Sequence, residues 1–358
     1  MGKNIRNLYV HFPFCRRKCT YCALYSNCAR PKSERDEYAR CVAESINLLS
    51  ELEHPLSTIY FGGGSPALCD LKPVLNALEP FINNETEFSV ELHPHDATPE
   101  ILSSLKSGGV NRISMGLQST NDDVLRHMNR RYTLEEGKKS FSLIKKFFDN
   151  AGIDLIVGYP TSSEISISDY FALSSMGLTH CSVYSLILED NSTLSRLASH
   201  KRVVLPSDET TLDQITQISS FLRSIGLNRY EISNYAATNY ECRHNLATWR
   251  GEDYIGLGIG AHGRIGLRRT RNFLPGRSAI LNGPNYEYED VSQKFNYNER
   301  KLFRLRTTDG IDANGEIGWI KSLNKFAEEG LVEKKPNNIY TLTSRGTEVC
   351  DSIIAELL

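Results

Sequence analysis

Close to its start the chain reads Tyr9-Val-His-Phe-Pro-Phe-Cys15-Arg-Arg-Lys-Cys19-Thr-Tyr-Cys22. The three cysteines have the spacing C-x3-C-x2-C and directly follow an apolar run, so one short loop after a strand supplies three thiolates. Thiolates hold iron–sulfur clusters, and a cubane cluster has four irons to ligate. Three ligands would leave one iron open to a further ligand. The alternative interpretation is three free or structural thiols in a reduced compartment.

Short apolar runs alternate with helical patterns along the first half of the chain. Their β-branched and aromatic residues predict strands at Leu8–Phe12, Thr58–Gly62, Phe88–Leu92, Arg112–Leu117, Ile153–Gly158 and Cys181–Leu188. Helices are predicted at Ser33–Leu52, Asp70–Phe81, Thr98–Leu105, Asn121–Met128, Thr133–Phe148 and Ser168–Met176. This alternation predicts an α/β fold, a partial (β/α)6 TIM-type barrel with a parallel sheet. In such folds the chemistry lies at the carboxyl ends of the strands.

The pattern changes after about residue 200. A helix is predicted at Ser207–Ile225, Asn228–Gly263 has little clear periodicity, and Leu267–Asn296 has the composition of a loop or linker. Helical and short strand patterns between Glu299 and Leu358 predict a small C-terminal winged-helix-like α+β domain. We therefore expect a partial barrel over residues 1–230, an extension and linker over 231–296, and the C-terminal domain over 297–358.

Composition narrows the class of protein. The 358 residues carry a formal net charge of -2, which argues against a basic nucleic-acid surface, so no nucleic-acid partner is expected. No apolar stretch is long enough to span a bilayer, and no apolar signal-peptide core precedes Cys15. Nine cysteines without a secretion signal are typical of a reducing compartment and of metal or redox use. The prediction is a cytoplasmic protein.

Several candidate site residues lie at the ends of the predicted strands. Three glycines in Phe61-Gly-Gly-Gly-Ser-Pro66 allow close backbone approach, and their N–H groups are predicted to receive a carboxylate or similar anion; the alternative is an ordinary tight turn. Asp154 lies inside an apolar strand pattern, where a carboxylate must be paired or hydrogen-bonded. Glu91, Gln118 and Arg130 are weaker candidates, because taken alone each is explained by solvent exposure.

The segment His244-Asn-Leu-Ala-Thr-Trp249 places an imidazole and an indole close together. A histidine there could ligate haem iron axially, with aromatic rings packed on the macrocycle. The alternative is a structural histidine hydrogen-bonded within a loop. His11 shares a strand face with Tyr9, where it either orients a ligand or is a satisfied core histidine.

The run Gly256-Leu-Gly-Ile-Gly-Ala261 fits the dinucleotide pattern G-x-G-x-x-A. We reject that interpretation, because the residues that follow do not predict the helix that the pattern requires. These glycines are instead expected to permit close approach of a ligand or of another backbone segment.

Taken together and in order, these motifs resemble the radical S-adenosylmethionine (SAM) superfamily. More narrowly, the chain is similar to the oxygen-independent coproporphyrinogen oxidases and their HemW-type haem-chaperone relatives. The resemblance covers nearly the whole chain through YVHFPFCRRKCTYC, FGGGSP, VELHP, GVNRISMGLQ, DLIVGYP, the Tyr-Glu-x-Ser-x-Tyr run, C-x-HN and DYIGLGIGAHG. It implies a barrel of the radical SAM type.

The resemblance also implies roles for individual residues. Cys15, Cys19 and Cys22 would hold a [4Fe-4S] cluster whose fourth iron is chelated by SAM. Gly63, Gly64 and Ser65 would contact the methionyl end of SAM, and Glu91, Gln118, Arg130 and Asp154 would surround it. Tyr9 and Tyr21 would neighbour the cofactor, and Ile187 and Ile255 would pack near the adenine. An electron from a donor such as flavodoxin or ferredoxin would cleave SAM to methionine and a 5′-deoxyadenosyl radical.

Two departures separate this chain from the oxidases and favour the HemW-like branch. Leu24 stands where the oxidases carry a further cysteine, and only fourteen residues precede Cys15. That branch is associated with an H-N-x-x-Y-W motif, in which Thr248 here replaces the tyrosine.

The resemblance implies that the chain binds haem through His244 and delivers it to acceptor apoproteins, such as respiratory ones at the inner membrane face. One alternative is an enzyme of porphyrin biosynthesis, a coproporphyrinogen III oxidase that decarboxylates propionates by radical chemistry. A second is a cluster-bearing regulatory protein.

Overall fold

The computed structural model describes residues 5–28, 30–47, 49, 55–161, 167–272 and 286–358. A parallel sheet forms its centre, in which each strand pairs with the next along the chain. Its strands are β1 (Asn7–Phe12), β2 (Thr58–Gly63), β3 (Glu87–Leu92), β4 (Arg112–Gln118), β5 (Asn150–Val157) and β6 (His180–Ser185). The predicted α/β fold with six parallel strands is confirmed.

Helices connect these strands. They are α1 (Lys32–Asn47), α2 (Lys72–Leu78), α3 (Pro99–Ser107), α4 (Asp122–His127), α5 (Leu134–Lys145), α6 (Ile167–Tyr170), α7 (Thr193–Ser199) and α8 (Asp208–Ser224). Thr98 and Thr133 cap α3 and α5, as their sequence pattern predicts. Two predicted helices end instead in 3₁₀ turns, at Glu79–Phe81 and Phe171–Met176. The last part of the predicted helix Ser33–Leu52 falls largely outside the described residues.

Short strands from the non-periodic region complete the sheet, and a short helix lies between two of them. They are β7 (Asn228–Arg229), β8 (Asn234–Ala236), α9 (Arg243–Trp249) and β9 (Ile255–Leu257). β8 pairs antiparallel with β6 and with β7, whereas β9 pairs in parallel with β1. Strands of two or three residues are too short to show a periodic pattern, which explains why the sequence does not predict them.

The predicted loop or linker at Leu267–Asn296 is wrong where the structure describes it. An antiparallel sheet is formed by β10 (His262–Ile265), β11 (Arg268–Asn272) and β12 (Tyr286–Asp290). The next helix, α10 (Gln293–Leu302), begins inside the same range. Arg268-Arg-Thr-Arg-Asn272 lacks apolar alternation, so backbone pairing rather than a buried face defines this strand. Residues 273–285 lie outside the described residues.

The C-terminal residues have a hydrophobic core of their own, which contains Trp319, Leu323 and Tyr340. The elements around it are β13 (Ile311–Asp312), α11 (Ile317–Glu328), β14 (Val332–Lys335), β15 (Ile339–Leu342), α12 (Ser344–Glu348) and α13 (Cys350–Leu357). The single helix expected at Ser344–Leu358 is two helices, because the backbone leaves helical geometry at Val349. The domain boundaries at residues 230 and 296 stay predictions.

The main core fills the space between the parallel sheet and its helices, and Leu8, Ile59, Phe88 and Ile113 are fully buried in it. Because the six strands are parallel, the loops at their carboxyl ends meet at one edge of the sheet. Within the described parts of the chain, no helix has the length and apolarity needed to cross a bilayer.

Candidate functional site

The cysteine loop leaves the carboxyl end of β1 and is held by hydrogen bonds to the end of α4. Asn129 Nδ2 donates to the carbonyl of Lys18 at 2.9 Å, and the Thr20 hydroxyl donates to the carbonyl of His127 at 3.0 Å. At the far end of the loop, the Asn27 amide donates to the carbonyl of Pro13 at 2.6 Å. The three thiols are therefore presented by a loop fixed at several points.

Cys15, Cys19 and Cys22 are half-buried free thiols at the mouth of the sheet. Burial above all, and then the neighbouring thiol of Cys28, raises the pKa of Cys15 to about 12, and burial also raises the pKa of Cys22. A positively charged metal centre supplies the charge that ionises such thiols.

The three thiols match the donor set of an iron–sulfur cluster. Such clusters are held by Cys thiolates, each bound to a different iron of the cubane. Three half-buried thiols on one loop therefore fit a [4Fe-4S] cluster with one iron left for a further ligand.

Next to the thiols is a cavity of about 370 Å³, called the cluster cavity below. It contains eight of the eleven residues that the resemblance assigns to SAM, whereas Tyr9, Ile187 and Ile255 do not line it. Its lining includes Cys15, Cys19, Cys22, Tyr21, Gly63, Gly64, Ser65, Glu91, Gln118, Arg130 and Asp154. The ends of β1 to β5 thus bring these separate motifs to one place.

The glycine run packs tightly against the start of the cysteine loop. A Cβ atom on Gly64 would lie 2.2 Å from the Phe14 carbonyl oxygen, so no other residue fits there without a backbone shift. The N–H groups of the run are bonded within the protein, and that of Gly63 receives a carboxylate. Gly64 N donates to Phe12 O at 2.8 Å, Ser65 N donates to Phe14 O at 2.7 Å, and Gly63 N donates to Glu91 Oε2 at 3.1 Å.

Two carboxylates give the cluster cavity its negative side. The Tyr60 hydroxyl donates to Glu91 Oε1 at 2.9 Å, and the Ser114 hydroxyl donates to Asp154 Oδ1 at 2.9 Å. Burial first, and then the charge of Asp154, raises the pKa of Glu91 to about 7. Burial also raises the pKa of Asp154. A cationic ligand would relieve this electrostatic cost, which fits the ammonium and sulfonium groups of SAM.

Gln118 and Arg130 supply hydrogen-bond donors to the cluster cavity. The pairing of β4 with β5 shifts register between Gly116 and Gln118, and Gln118 has a positive φ of 69°. Such bulges redirect a side chain, and strained residues concentrate at functional sites. Arg130 Nη2 donates to the Tyr21 hydroxyl at 2.9 Å, while its buried Nε has no partner among the described residues. These donors suit a ligand carboxylate.

Asp96 is a site residue that the sequence did not reveal. Its buried carboxylate accepts hydrogen bonds from Ser65 and from Arg16, so it joins the glycine run to the cysteine loop. The only sequence signal is its place directly after the Val90-Glu-Leu-His-Pro94 motif. Asp96 therefore positions the thiols without lining the cluster cavity.

A second cavity, of about 840 Å³, lies beside the first and is called the histidine cavity below. Residues from distant parts of the chain line it, most of them aromatic or basic, including Tyr9, Tyr60, His244, Tyr254, His262 and Arg271 together with Ile187 and Thr248. The two cavities share the wall residues Tyr21, Cys22, Leu24, Glu91, Ile156 and Tyr184. Ligands in the two cavities would therefore be neighbours.

His244 is fixed in this cavity by its backbone and by its ring. The Glu87 carboxylate accepts the N–H groups of Arg243 at 2.9 Å and of His244 at 3.0 Å, where a negative charge also stabilises the start of α9. The ring packs against that of Tyr60, with centroids 5.3 Å apart. Burial, followed by the charge of Arg112, lowers the pKa of His244 to about 3. The imidazole is therefore neutral near pH 7.

Two other residues, Trp249 and Ile255, are placed differently from what a role in ligand binding requires. Trp249 does not line the histidine cavity; Phe303 packs edge-on against it, and the Arg306 guanidinium lies 4.5 Å from its ring centroid. Ile255, on β9, packs against the main core and lines neither cavity. His11 does line the histidine cavity, although its ring nitrogens are already within hydrogen-bond distance of the Tyr9 hydroxyl at 3.0 Å and the Tyr25 carbonyl at 3.2 Å.

The glycines of the rejected dinucleotide pattern permit close backbone approach, as expected. A Cβ atom on Gly256 would lie 2.0 Å from the His262 carbonyl oxygen. The residues after Ala261 form β10 instead of a helix. The run therefore packs β9 against β10.

Comparison with known proteins agrees with this geometry. The family model described as "Radical SAM superfamily" matches residues 9–173, the segment that contains the cysteine loop and runs through β5. The solved structure of the coproporphyrinogen III oxidase HemN from Escherichia coli superposes with a TM-score of 0.79, covering 98% of this chain and 89% of that chain. At 21% identity, this likeness shows the fold alone.

Curated relatives are more similar in sequence. "Heme chaperone HemW" of Bacillus subtilis is 32% identical over 99% of this chain and 100% of the relative. The protein of the same name from Escherichia coli is 30% identical over 76% of each. The chain therefore belongs to the radical SAM superfamily and, within it, to the HemW family.

Proposed function

We propose that the protein is a haem chaperone that holds a [4Fe-4S] cluster and SAM in the cluster cavity and haem in the histidine cavity. His244 would be the axial ligand of the haem iron, and the haem would pass to an acceptor apoprotein. One observation carries the proposal: a neutral histidine, surrounded by tyrosine rings, lines a large cavity that adjoins the cluster cavity.

The histidine cavity has the chemistry that haem requires. Its volume is within the range of cofactor sites, and the rings of Tyr9, Tyr60 and Tyr254 supply flat surfaces. His262 and Arg271 stand opposite each other across β10 and β11 and also line the cavity. Their basic groups would bind the acidic propionate groups of the macrocycle.

The cluster cavity would bind SAM by charge. Glu91 and Asp154 would receive its cationic groups, while Arg130 and Gln118 would donate to its carboxylate. A bound cluster supplies the electron that radical SAM chemistry needs. The carbonyl contacts of the glycine run would keep this wall rigid, because its backbone N–H groups are already satisfied.

A haem titration of protein that has been reconstituted without air tests the proposal. We expect stoichiometric haem binding, seen as a shifted Soret band, and loss of that band in His244→Ala. His200→Ala, which changes an exposed histidine on the surface, is the matched control and should bind normally. Normal haem binding by His244→Ala would remove His244 as the ligand.

Because the two cavities share a wall, an enzymatic alternative has a structural basis. A tetrapyrrole in the histidine cavity would lie beside SAM in the cluster cavity, as oxidative decarboxylation of coproporphyrinogen III requires. The reconstituted protein can be given this substrate, SAM and a reductant. Protoporphyrinogen together with 5′-deoxyadenosine would establish the oxidase and would contradict a role limited to haem delivery.

The acceptors and the site of delivery follow from the same proposal. Respiratory apoproteins at the inner membrane face would receive the haem from a cytoplasmic carrier, and a flavodoxin or ferredoxin would reduce the cluster. Mixing haem-loaded protein with an apocytochrome should move the Soret band to that of the holocytochrome. Retention of all the haem by the carrier would contradict delivery.

A further inference from the structure

The hydrogen bonds behind His244 determine which of its ring nitrogens carries the proton. His244 Nδ1 lies 2.8 Å from the Thr58 hydroxyl oxygen, and both atoms are buried. His244 Nε2 has no hydrogen-bond partner among the described residues. It is not one of the buried polar atoms without a partner, a group that includes Nδ1 of His180. Since His244 lines the histidine cavity, Nε2 is the nitrogen that a ligand can reach.

Asn7 determines which atom donates in the hydrogen bond between Asn7 and Thr58. Asn7 Nδ2 donates to Glu252 Oε2 at 3.1 Å and to the carbonyl of Asp253 at 3.2 Å. Both partners are acceptors, so the amide cannot be turned around, and its oxygen must face Thr58. Thr58 Oγ1 lies 2.8 Å from Asn7 Oδ1. An amide oxygen only accepts, so Thr58 donates its single proton there.

The second hydrogen bond then has one possible donor. Because Thr58 has given its proton to Asn7, its oxygen can only accept from His244. His244 Nδ1 must therefore carry a proton. The metal-binding form of an imidazole has a single N–H, so with the proton on Nδ1 the free lone pair is that of Nε2.

We infer that Asn7 and Thr58 hold His244 in the Nδ1–H tautomer and thereby prepare Nε2 as a metal ligand. This inference rests on the proposed function for the identity of the metal, haem iron. Metal-binding histidines ordinarily donate their second N–H to a neighbouring acceptor, which fixes the ring and strengthens the ligand. Asn7 and Thr58 are positioning residues, since neither lines the histidine cavity.

The tautomer can be measured without haem. Long-range ¹H–¹⁵N NMR of the protein labelled in histidine distinguishes protonated from unprotonated ring nitrogens, and His244→Ala assigns the signal. We expect a protonated Nδ1 and an unprotonated Nε2. A protonated Nε2 in the wild-type protein would overturn the inference.

Three variants test the relay, that is, the two hydrogen bonds that link Asn7 to Thr58 and Thr58 to His244. Thr58→Val removes the acceptor and should abolish the preference for Nδ1–H, whereas Thr58→Ser should keep it. Asn7→Leu should release the Thr58 proton, so that Thr58 can donate to His244 and the Nε2–H form appears. Thr341→Val, a change of buried threonine in the C-terminal core, is the control for loss of a hydroxyl. An unchanged tautomer in both Thr58→Val and Asn7→Leu would contradict the relay.

Haem binding supplies an independent measurement. Thr58→Val should bind ferric haem about 10- to 100-fold more weakly, and Thr58→Ser should restore most of the affinity. If the wild type shows the expected tautomer but binds no haem, the proposed function fails and the tautomer assignment stands. If haem binds through His244 with equal affinity in Thr58→Val, the proposed function stands and the relay fails.

Discussion

The cluster cavity and the histidine cavity share a wall, but they are assembled differently. The first is lined by residues at the ends of successive strands, each inside a short local motif. The second depends on His244, whose ring meets Thr58 across 186 positions and whose amide meets Glu87 across 157 positions. A site built at strand ends can be read from sequence, whereas one built by long-range hydrogen bonds needs the fold.

Removal of single thiols should have the largest effect, because it abolishes cluster binding in one cavity without a comparable effect on haem binding in the other. Cys15→Ser, Cys19→Ser and Cys22→Ser are each expected to abolish the cluster absorbance of anaerobically reconstituted protein, because each removes a ligand. Cys28→Ser, in the same loop and exposed, should retain it. Haem affinity should be unchanged in Cys15→Ser, Cys19→Ser and Cys28→Ser, because these three residues do not line the histidine cavity. Retention of a full cluster by the three ligand variants would disprove the assignment.

Glu87→Ala should have the next largest effect, and on the histidine cavity alone. It removes the acceptor at the start of α9 and a negative charge beside the fully buried Arg112. Leaving the backbone donors at the start of α9 without their acceptor costs about 1–3 kcal/mol of unfolding free energy each. Chemical denaturation measures the loss, and Glu87→Gln is the milder matched variant.

Where Glu87→Ala protein still folds, it should hold a full cluster but bind haem weakly. Equal weakening of both ligands would show that the cavities are not built independently.

A smaller effect is expected from pH, because the titration of Glu91 in the cluster cavity changes the free energy of unfolding. The pKa of Glu91 is raised to about 7 in the folded protein from an ordinary 4.5. Between these values the unfolded chain releases a proton that the folded protein keeps, so stability falls as pH rises and levels off above about 7. The expected loss of unfolding free energy is about 2 kcal/mol. It is smaller than the full pKa shift implies, because part of this carboxylate borders the open cavity.

Denaturation of cluster-free protein at several pH values measures this slope. Glu91→Gln should remove the part of it due to Glu91 and should be the more stable protein above neutral pH. Identical curves for the two proteins would refute the assigned pKa.

Thr248→Tyr should give the smallest change. It restores the tyrosine of the family motif in a position that lines the histidine cavity. An aromatic ring packed on the macrocycle is worth about 0.5–1.5 kcal/mol, or roughly a two- to tenfold gain in haem affinity. Thr248→Val, which adds no ring, is the control for loss of the hydroxyl. Weaker binding by the tyrosine variant would show that the side chain points away from haem.

The sequence predicted the parallel strands and the cluster cavity because both have local signals. Apolar runs mark β1 to β6, and the residues assigned to SAM follow those runs closely. It failed where the cause is not local. Asn7, Thr58 and Glu87 look like ordinary polar strand residues until His244 is brought beside them. Likewise, Arg268–Asn272 pairs with β12 without an apolar pattern, so the sequence suggested a loop.

Helix α9 is only about 10 Å long, yet it is bonded to the parallel sheet at one end and packs beside the C-terminal core at the other. Its first amides are bound to Glu87 of the sheet, and Trp249 at its other end packs on Phe303 and Arg306 beside the C-terminal core. A protein that binds the C-terminal unit and displaces it would therefore tilt the imidazole. Release of the proposed haem ligand would then be driven from outside, with no need for a recipient to enter the histidine cavity.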